Sequence, residues 1–196
     1  MTTILLARHG ETDWNRERRF QGHADPPLND LGRTQARELA TRLAGEAVVA
    51  VYTSPLRRAH ETALIVGEAL RLAVETRPAL REIDVGSWQG LTRDEIAARF
   101  PEDYRRWLGG GSGWSGGETY DELRERVVPE LLALARRHAG RRVVVVCHGG
   151  TMRAAQAAAH RLPHAAARRV SAPIGNGTML ALVVAEEELR VVSSDA

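Results

Sequence analysis

The chain has 196 residues, enough for one domain with a sizeable core, and is 43% apolar but only 5% aromatic, so Leu, Val and Ala should build that core. Its 27 arginines and 25 acids are interleaved and leave a formal net charge of +2, which argues against a nucleic-acid face. There is no lysine, so no catalytic lysine; the single Cys147 excludes an internal disulfide and a cysteine metal cluster, and no apolar run is long enough to cross a membrane.

Ile4-Leu5-Leu6-Ala7 reads as a buried strand that ends abruptly in Arg8-His9-Gly10. Glu11 and Asp13 follow too soon for a signal peptide, so a soluble cytoplasmic protein is expected. Residues 10–30 are polar and turn-rich, and so long a connection is often functional. Asn29 can cap a helix carrying Ala36, Leu39, Ala40 and Leu43 on one face. Residues 47–52 read as a second buried strand. Ser54 is the expected cap of the next helix, with Pro55 at its first position. Arg57 and Arg58 then fall in the first turn, where cations oppose the helix dipole unless an anion is expected.

Residues 72–76 suggest a short third strand, and 80–84 a loop or strand end. Thr92 and Glu95 have capping-box spacing and should start a short helix. The glycine-rich stretch 109–117, with Trp114, reads as a linker or a loop at a site mouth. Residues 118–138 form the longest helical pattern, which Pro129 should kink. Residues 142–147 are the most strand-like run; it ends in His148-Gly149-Gly150, and an Ala-rich helix follows to about 160. Residues 178–185 and 189–193 look like a hairpin. The alternation implies a three-layer α/β/α fold with a mostly parallel central sheet and one antiparallel edge.

Two of these strands share a pattern: an apolar run, then His, then Gly. In open α/β sheets ligands bind beyond the carboxyl ends of the strands. His9 and His148 should emerge at that edge, with Arg8 beside them and Arg58 on a helix start. Two guanidiniums and two imidazoles together suit a tetrahedral anion and otherwise repel one another.

These residues carry a family resemblance. Leu6-Ala7-Arg8-His9-Gly10-Glu11-Thr12 with Trp14-Asn15 resembles the signature of the histidine phosphatase superfamily, the phosphoglycerate-mutase-like family. Ser54-Pro55-Leu56-Arg57-Arg58-Ala59, Leu80-Arg81-Glu82-Ile83-Asp84-Val85-Gly86 and Val146-Cys147-His148-Gly149-Gly150 resemble its later motifs, in family order. The resemblance implies a phosphoglycerate-mutase-like fold over 1–196 and no cofactor. It implies His9 as nucleophile, Arg8, Arg58, His148 and Gly149 around the phosphoryl group, Asn15 and Gln21 lining its pocket, and Glu82 as proton donor. A neutral imidazole can attack phosphorus in line, cations can take the role of metal ions, and a carboxylic acid can protonate the leaving alkoxide. Without the motif, Glu61, Asp84 and Glu118 would compete with Glu82 for that role.

Metal binding is not expected. His160 and His164 are four apart, but Pro163 breaks a shared helical face. The expected reaction is hydrolysis of small phosphorylated metabolites through a phosphohistidine. The alternatives are a 2,3-bisphosphoglycerate-dependent mutase and a non-enzymatic phosphate-binding protein. Glu82 is followed by Ile83-Asp84-Val85-Gly86, not the Arg-His-Tyr-Gly of family mutases, which favours the phosphatase. Specificity should lie around 84–120, including Trp88, Trp107 and Trp114. A small-molecule substrate is the one expected partner, with no nucleic acid or membrane; a homodimer is consistent with the family.

Overall fold

The structure, a computed structural model, describes residues 1–163, 165–166 and 174–192. Six strands form one sheet: β1 (Thr2–Arg8), β2 (Val48–Thr53), β3 (Val74–Thr76), β4 (Arg142–Cys147), β5 (Met179–Ala185) and β6 (Glu188–Val192), in the order β3-β2-β4-β1-β5-β6. The first four in that order are mutually parallel, while β5 runs antiparallel to both β1 and β6. The fold is the expected α/β architecture, with the 178–193 hairpin as the antiparallel edge; Ser193 lies outside the described residues.

The helices are α1 (Asp13–Arg16), α2 (Asp30–Leu43), α3 (Arg57–Leu70), α4 (Arg93–Arg99), α5 (Pro101–Leu108), α6 (Tyr120–Arg137) and α7 (Gly149–Ala159). Side chains alternate across a strand, and β1 and β4 are buried on both faces, so their apolar runs serve two cores. Leu5, Ala7, Val144 and Val146 pack with Leu39, Leu43, Ala59 and Val66 of α2 and α3. Ile4, Leu6, Val143 and Val145 pack on the opposite side with Leu123, Leu131, Met152 and Ala155 of α6 and α7. Each fully buried Leu on these helix faces contributes about 1.5–3 kcal/mol of transfer free energy.

The local signals hold at most helix starts. The Asn29 side chain accepts from the Gly32 N–H, and Thr92 and Glu95 form a reciprocal capping box. Thr119 and Glu122 form another, which starts the long helix at Tyr120; the helix runs through Pro129 as one element. The Ser54 expectation fails. Helix α3 starts at Arg57, the Ser54 hydroxyl accepts from the Leu56 N–H, and Pro55 lies before the helix. The Arg57 N–H donates instead to Asp25 at 2.6 Å, so a carboxylate from the 10–30 loop does the capping. The third strand begins at Val74, not at 72, because Leu72 donates its N–H back to Gly67 to close α3.

Register places the site. Arg8 pairs with Cys147, and the His9 N–H donates to the Cys147 carbonyl at 3.0 Å. His9 and His148 therefore leave the sheet side by side. Just beyond, the chain passes Gly32 so closely that a Cβ on Gly10 would lie 2.2 Å from the Gly32 oxygen. Only glycine permits this backbone contact, which fixes the start of α2 against the end of β1.

Candidate active site

His9 is 2% exposed, and its Nδ1 stands 2.6 Å from the Gly10 carbonyl oxygen. A carbonyl only accepts, so Nδ1 carries the proton and Nε2 keeps its lone pair. Burial, then the charges of Arg58 and Arg8, hold the imidazole well below its ordinary pKa. His9 is thus neutral and buried at the sheet edge, lining the cleft. The His148 ring is fully buried, with its centroid 5.2 Å from that of His9. Burial, followed by Arg58, His9 and Arg8, pushes its pKa well down too.

Arg58 is 1% exposed and donates to the carbonyls of Ala24 and Gly22 at 2.8 and 2.9 Å. Burial pulls its guanidinium down to about 10, against the pull of Glu82 and Asp25. Arg8 donates to the Ile174 carbonyl at 2.6 Å. Among the described residues, Nε of Arg8, Nε of Arg58 and both ring nitrogens of His148 are buried without a hydrogen-bond partner. Each such group costs about 1–3 kcal/mol. An oxyanion can accept from the two arginine Nε–H groups and from the one N–H that a neutral His148 carries.

Glu82 approaches from the other side. Its carboxylate accepts from the Ile83 N–H at 2.9 Å and from the Gly150 N–H, in the first turn of α7, at 3.0 Å. A Cβ on Gly150 would fall 2.2 Å from Oε1, so a side chain there would displace the acid. Asn15 and Gln21 are joined through the Thr12 hydroxyl, which lies 3.2 Å from Asn15 Oδ1 and 3.1 Å from Gln21 Oε1. Gly149 lies beside Arg8.

The cleft has a volume of about 180 Å³, below the roughly 300 Å³ at which drug-sized pockets begin, so it suits a small ligand. Arg8, His9, Arg58 and Glu82 face it, as do Asn15 and Gln21, while Phe20, Trp107 and Trp114 supply an aromatic wall. Glu82 is the only acidic group lining it among the described residues. Asp84 instead accepts from the Gly86 N–H, Glu118 pairs with Arg126 at 2.5 Å, and Glu61 pairs with Arg33 at 2.8 Å. Trp88 is wholly buried behind the wall and does not line the cleft. No three His, Cys, Asp or Glu side chains converge as a metal site among the described residues. His164 lies outside them.

Several supporting groups escaped the sequence reading. Asn176 Nδ2 donates to the His9 carbonyl at 3.1 Å and to Asn15 Oδ1 at 3.1 Å. Arg126 donates to the carbonyls of Ala79, Arg81 and Glu82 at 2.7, 2.8 and 2.9 Å while its Nε and Nη2 bind the two carboxylate oxygens of Glu118. His23 Nε2 lies 2.8 Å from the Glu82 carbonyl, to which it donates. Arg19 and Arg153 also line the cleft. In a chain with 27 arginines no local pattern separates these from surface residues; only spacing relative to a recognised motif, such as Arg153 five after His148, offered a signal.

The two neutral imidazoles set a sign for acid stability. Their folded-state pKa values lie below the unfolded value of about 6.5. The unfolded chain therefore binds more protons below pH 6.5, and stability present above that pH is lost as pH falls, by up to about 1.4 kcal/mol per pH unit for each imidazole. The urea midpoint should drop from pH 6.5 towards 5, and drop less steeply in His148→Gln. Equal slopes for the two proteins would show that burial does not hold the His148 pKa below its unfolded value.

The family model for the histidine phosphatase superfamily (branch 1) matches residues 4–195. The metal-independent phosphoserine phosphatase of Arabidopsis thaliana is 42% identical over 159 residues, spanning 79% of this chain and 67% of that protein. Phosphoserine phosphatase 1 of Hydrogenobacter thermophilus is 39% identical over 156 residues, or 79% and 74% of the two chains. A solved mycobacterial glucosyl-3-phosphoglycerate phosphatase in complex with VO3 has a TM-score of 0.88 at 33% identity, covering 97% of this chain and 96% of that one. Taken with the sheet-edge cluster of imidazoles and guanidiniums, these similarities define a phosphatase. The chain belongs to the histidine phosphatase superfamily. Among the described residues no helix is long and apolar enough to cross a membrane.

Proposed function

We propose that the protein is a metal-independent phosphomonoesterase that hydrolyses small phosphorylated metabolites through a phosphohistidine. The observation that carries this reading is the His9 tautomer: Nδ1–H is tied to the Gly10 carbonyl, so Nε2 is an unprotonated nucleophile. Nε2 attacks phosphorus, the N–P bond forms and the ester P–O bond breaks. Glu82 gives its proton to the departing alkoxide. Arg8, Arg58, His148, Asn15, Gln21 and the Gly149 backbone hold the phosphoryl oxygens and offset their charge. Water then attacks the phosphohistidine and loses a proton to Glu82, and inorganic phosphate leaves.

The arginines supply the charge that metal ions supply elsewhere. Hydrolysis of p-nitrophenyl phosphate should therefore persist in excess chelator, and vanadate and inorganic phosphate should inhibit competitively. Activity lost in chelator and restored by magnesium or zinc would overturn the metal-independent mechanism. Inhibition that is not competitive would remove the phosphate from this cleft. Incubation with 3-phosphoglycerate and 2,3-bisphosphoglycerate serves as the mutase control; phosphate release in place of isomerisation is expected.

A further inference from the structure

We propose that Asn176 is a positioning residue: it pins the carboxamide oxygen of Asn15, so that the NH2 groups of Asn15 and Gln21 face the phosphoryl oxygens. This rests on the phosphatase reading above and adds how the uncharged part of its phosphate grip is oriented.

Asn176 stands in the tight turn 175–178 that leads into β5. The Thr178 N–H donates to the Gly175 carbonyl at 3.4 Å, and Gly177 takes a φ of +68°. Beyond the turn Met179 pairs with Ala7, so the turn lies against the end of β1. The Gly177 N–H meets the Arg8 and His9 carbonyls at 3.2 and 3.3 Å, and Arg8 donates to the Ile174 carbonyl. Residues 174–178 thus brace the strand end that carries the nucleophile.

The Asn176 side chain sets a polarity there. Its Nδ2 lies 3.1 Å from the His9 carbonyl oxygen, 3.3 Å from that of Gly10 and 3.1 Å from Asn15 Oδ1. Two of these are backbone carbonyls, which only accept, so the amide end that faces them is NH2. Asn15 Oδ1 also accepts from the Thr12 N–H at 3.2 Å. These two N–H donors fill the two lone pairs of that oxygen. The Thr12 hydroxyl has one hydrogen, within reach of both Asn15 Oδ1 and Gln21 Oε1. With the Asn15 oxygen filled, that hydrogen goes to Gln21 Oε1. Both carboxamides then turn their oxygens into the protein, and both residues line the cleft. Their NH2 groups are the ends offered to a ligand. A phosphoryl oxygen only accepts, so this orientation grips it, whereas the reverse would set two carbonyl oxygens against an anion.

A bracing role alone is the alternative, since Asn176 also touches the nucleophile's backbone. Those two carbonyls have other donors: the Gly177 N–H for His9, and the His9 Nδ1–H for Gly10. Loss of Asn176 therefore falls on Asn15. The Thr12 hydroxyl is drawn to the vacated lone pair, and Gln21 loses its pin as well.

The test is a double-mutant cycle read by the calorimetric Kd for inorganic phosphate. Asn15→Ala should weaken binding about ten- to a hundredfold, the scale of one hydrogen bond to a charged acceptor. Asn176→Ala should weaken it about three- to tenfold, by freeing the Asn15 amide to turn. In the Asn15→Ala background the same substitution should change Kd by less than about twofold, because the residue it acts through is gone. In p-nitrophenyl phosphate hydrolysis, kcat/KM should follow the same pattern. Equal losses in both backgrounds would show that Asn176 acts on the His9 backbone and would overturn the proposal, as would no loss in the wild-type background. Asn176→Asp keeps the shape without the donors and carries the cycle if the alanine variant does not fold. Wild-type protein gives a further reading by proton–nitrogen NMR: the Asn15 and Gln21 side-chain NH2 signals should shift on adding phosphate, and unmoved signals would overturn the orientation. Phosphate binding is read without turnover, so wild-type failure to hydrolyse p-nitrophenyl phosphate is a separate outcome that would overturn the phosphatase reading itself.

Discussion

Replacing His9 by Ala is expected to abolish turnover and leave the fold intact. Among the described residues the variant loses the only imidazole that lines the cleft, and with it the nitrogen that forms the covalent intermediate. Removal of a nucleophile of this kind costs on the order of a millionfold in related covalent chemistry. Residual activity above about a hundredth would exclude His9 as nucleophile. The structural cost is small. The lost Nδ1–H bond to Gly10 is worth about 1 kcal/mol, and that carbonyl keeps the Asn176 amide at 3.3 Å. The substitution also removes a desolvated group crowded by Arg8 and Arg58, so the thermal midpoint at pH 7 should stay within a few degrees. No acid-labile, alkali-stable phosphate label should form.

The second large effect belongs to Glu82→Gln, and its size depends on the leaving group. An alkoxide needs a proton to depart; p-nitrophenolate hardly does. Phosphorylation of His9 by a sugar or glycerate phosphate should slow by about a hundred- to ten-thousandfold, the usual worth of a general acid. Phosphorylation by p-nitrophenyl phosphate should slow far less. Dephosphorylation then becomes limiting with that substrate, and phosphohistidine should accumulate after rapid quench. The amide brings its own perturbation. Glu82 accepts two backbone N–H groups, and the Gln side chain has only one oxygen, so its NH2 must oppose Ile83 or Gly150. That misplacement slows both substrates alike and cancels in their ratio. Equal slowing for both would remove Glu82 from the role of acid. Asp84 and Glu118 would be weak replacements, because both are turned into the 84–118 framework and away from the cleft.

Much of the fold was legible because buried parallel strands are apolar on both faces. β1 and β4 stand out as continuous runs, and each is followed by a His and then a Gly, which marks the sheet edge. The capping box at Thr92 marks a helix start by local chemistry alone; the one at Thr119 went unread, and the long helix was expected from 118. Ser54 misled for the same reason: its hydroxyl does satisfy a backbone N–H, but the helix is capped from 32 residues away by Asp25. α1 fell inside the 10–30 connection and α5 was given no element, both being too short to show a period. For the site, Arg8, His9, Asn15, Gln21, Arg58 and Glu82 line one cleft, while His148 packs against His9 and Gly149 lies beside Arg8, neither of them lining it. Asn176 and Arg126 were illegible because long-range partners define what they do. Trp88 was grouped with Trp107 and Trp114, yet ring spacing cannot tell which indole faces a cleft and which fills a core.

The Arg126 clamp divides the molecule into two inheritable parts. Arg8, His9 and His148 ride on strand ends, and their positions follow from sheet register. The acid rides on a separate stretch that one guanidinium ties to α6 through three carbonyls. A stretch so suspended behaves as a cassette. Sequence drift in 83–120 can reshape the alcohol side of the cleft while Arg126 keeps the Glu82 backbone in register with the phosphate grip. One sheet edge then serves whichever alcohol the 83–120 stretch admits, with the helix clamp as the joint between reaction and substrate.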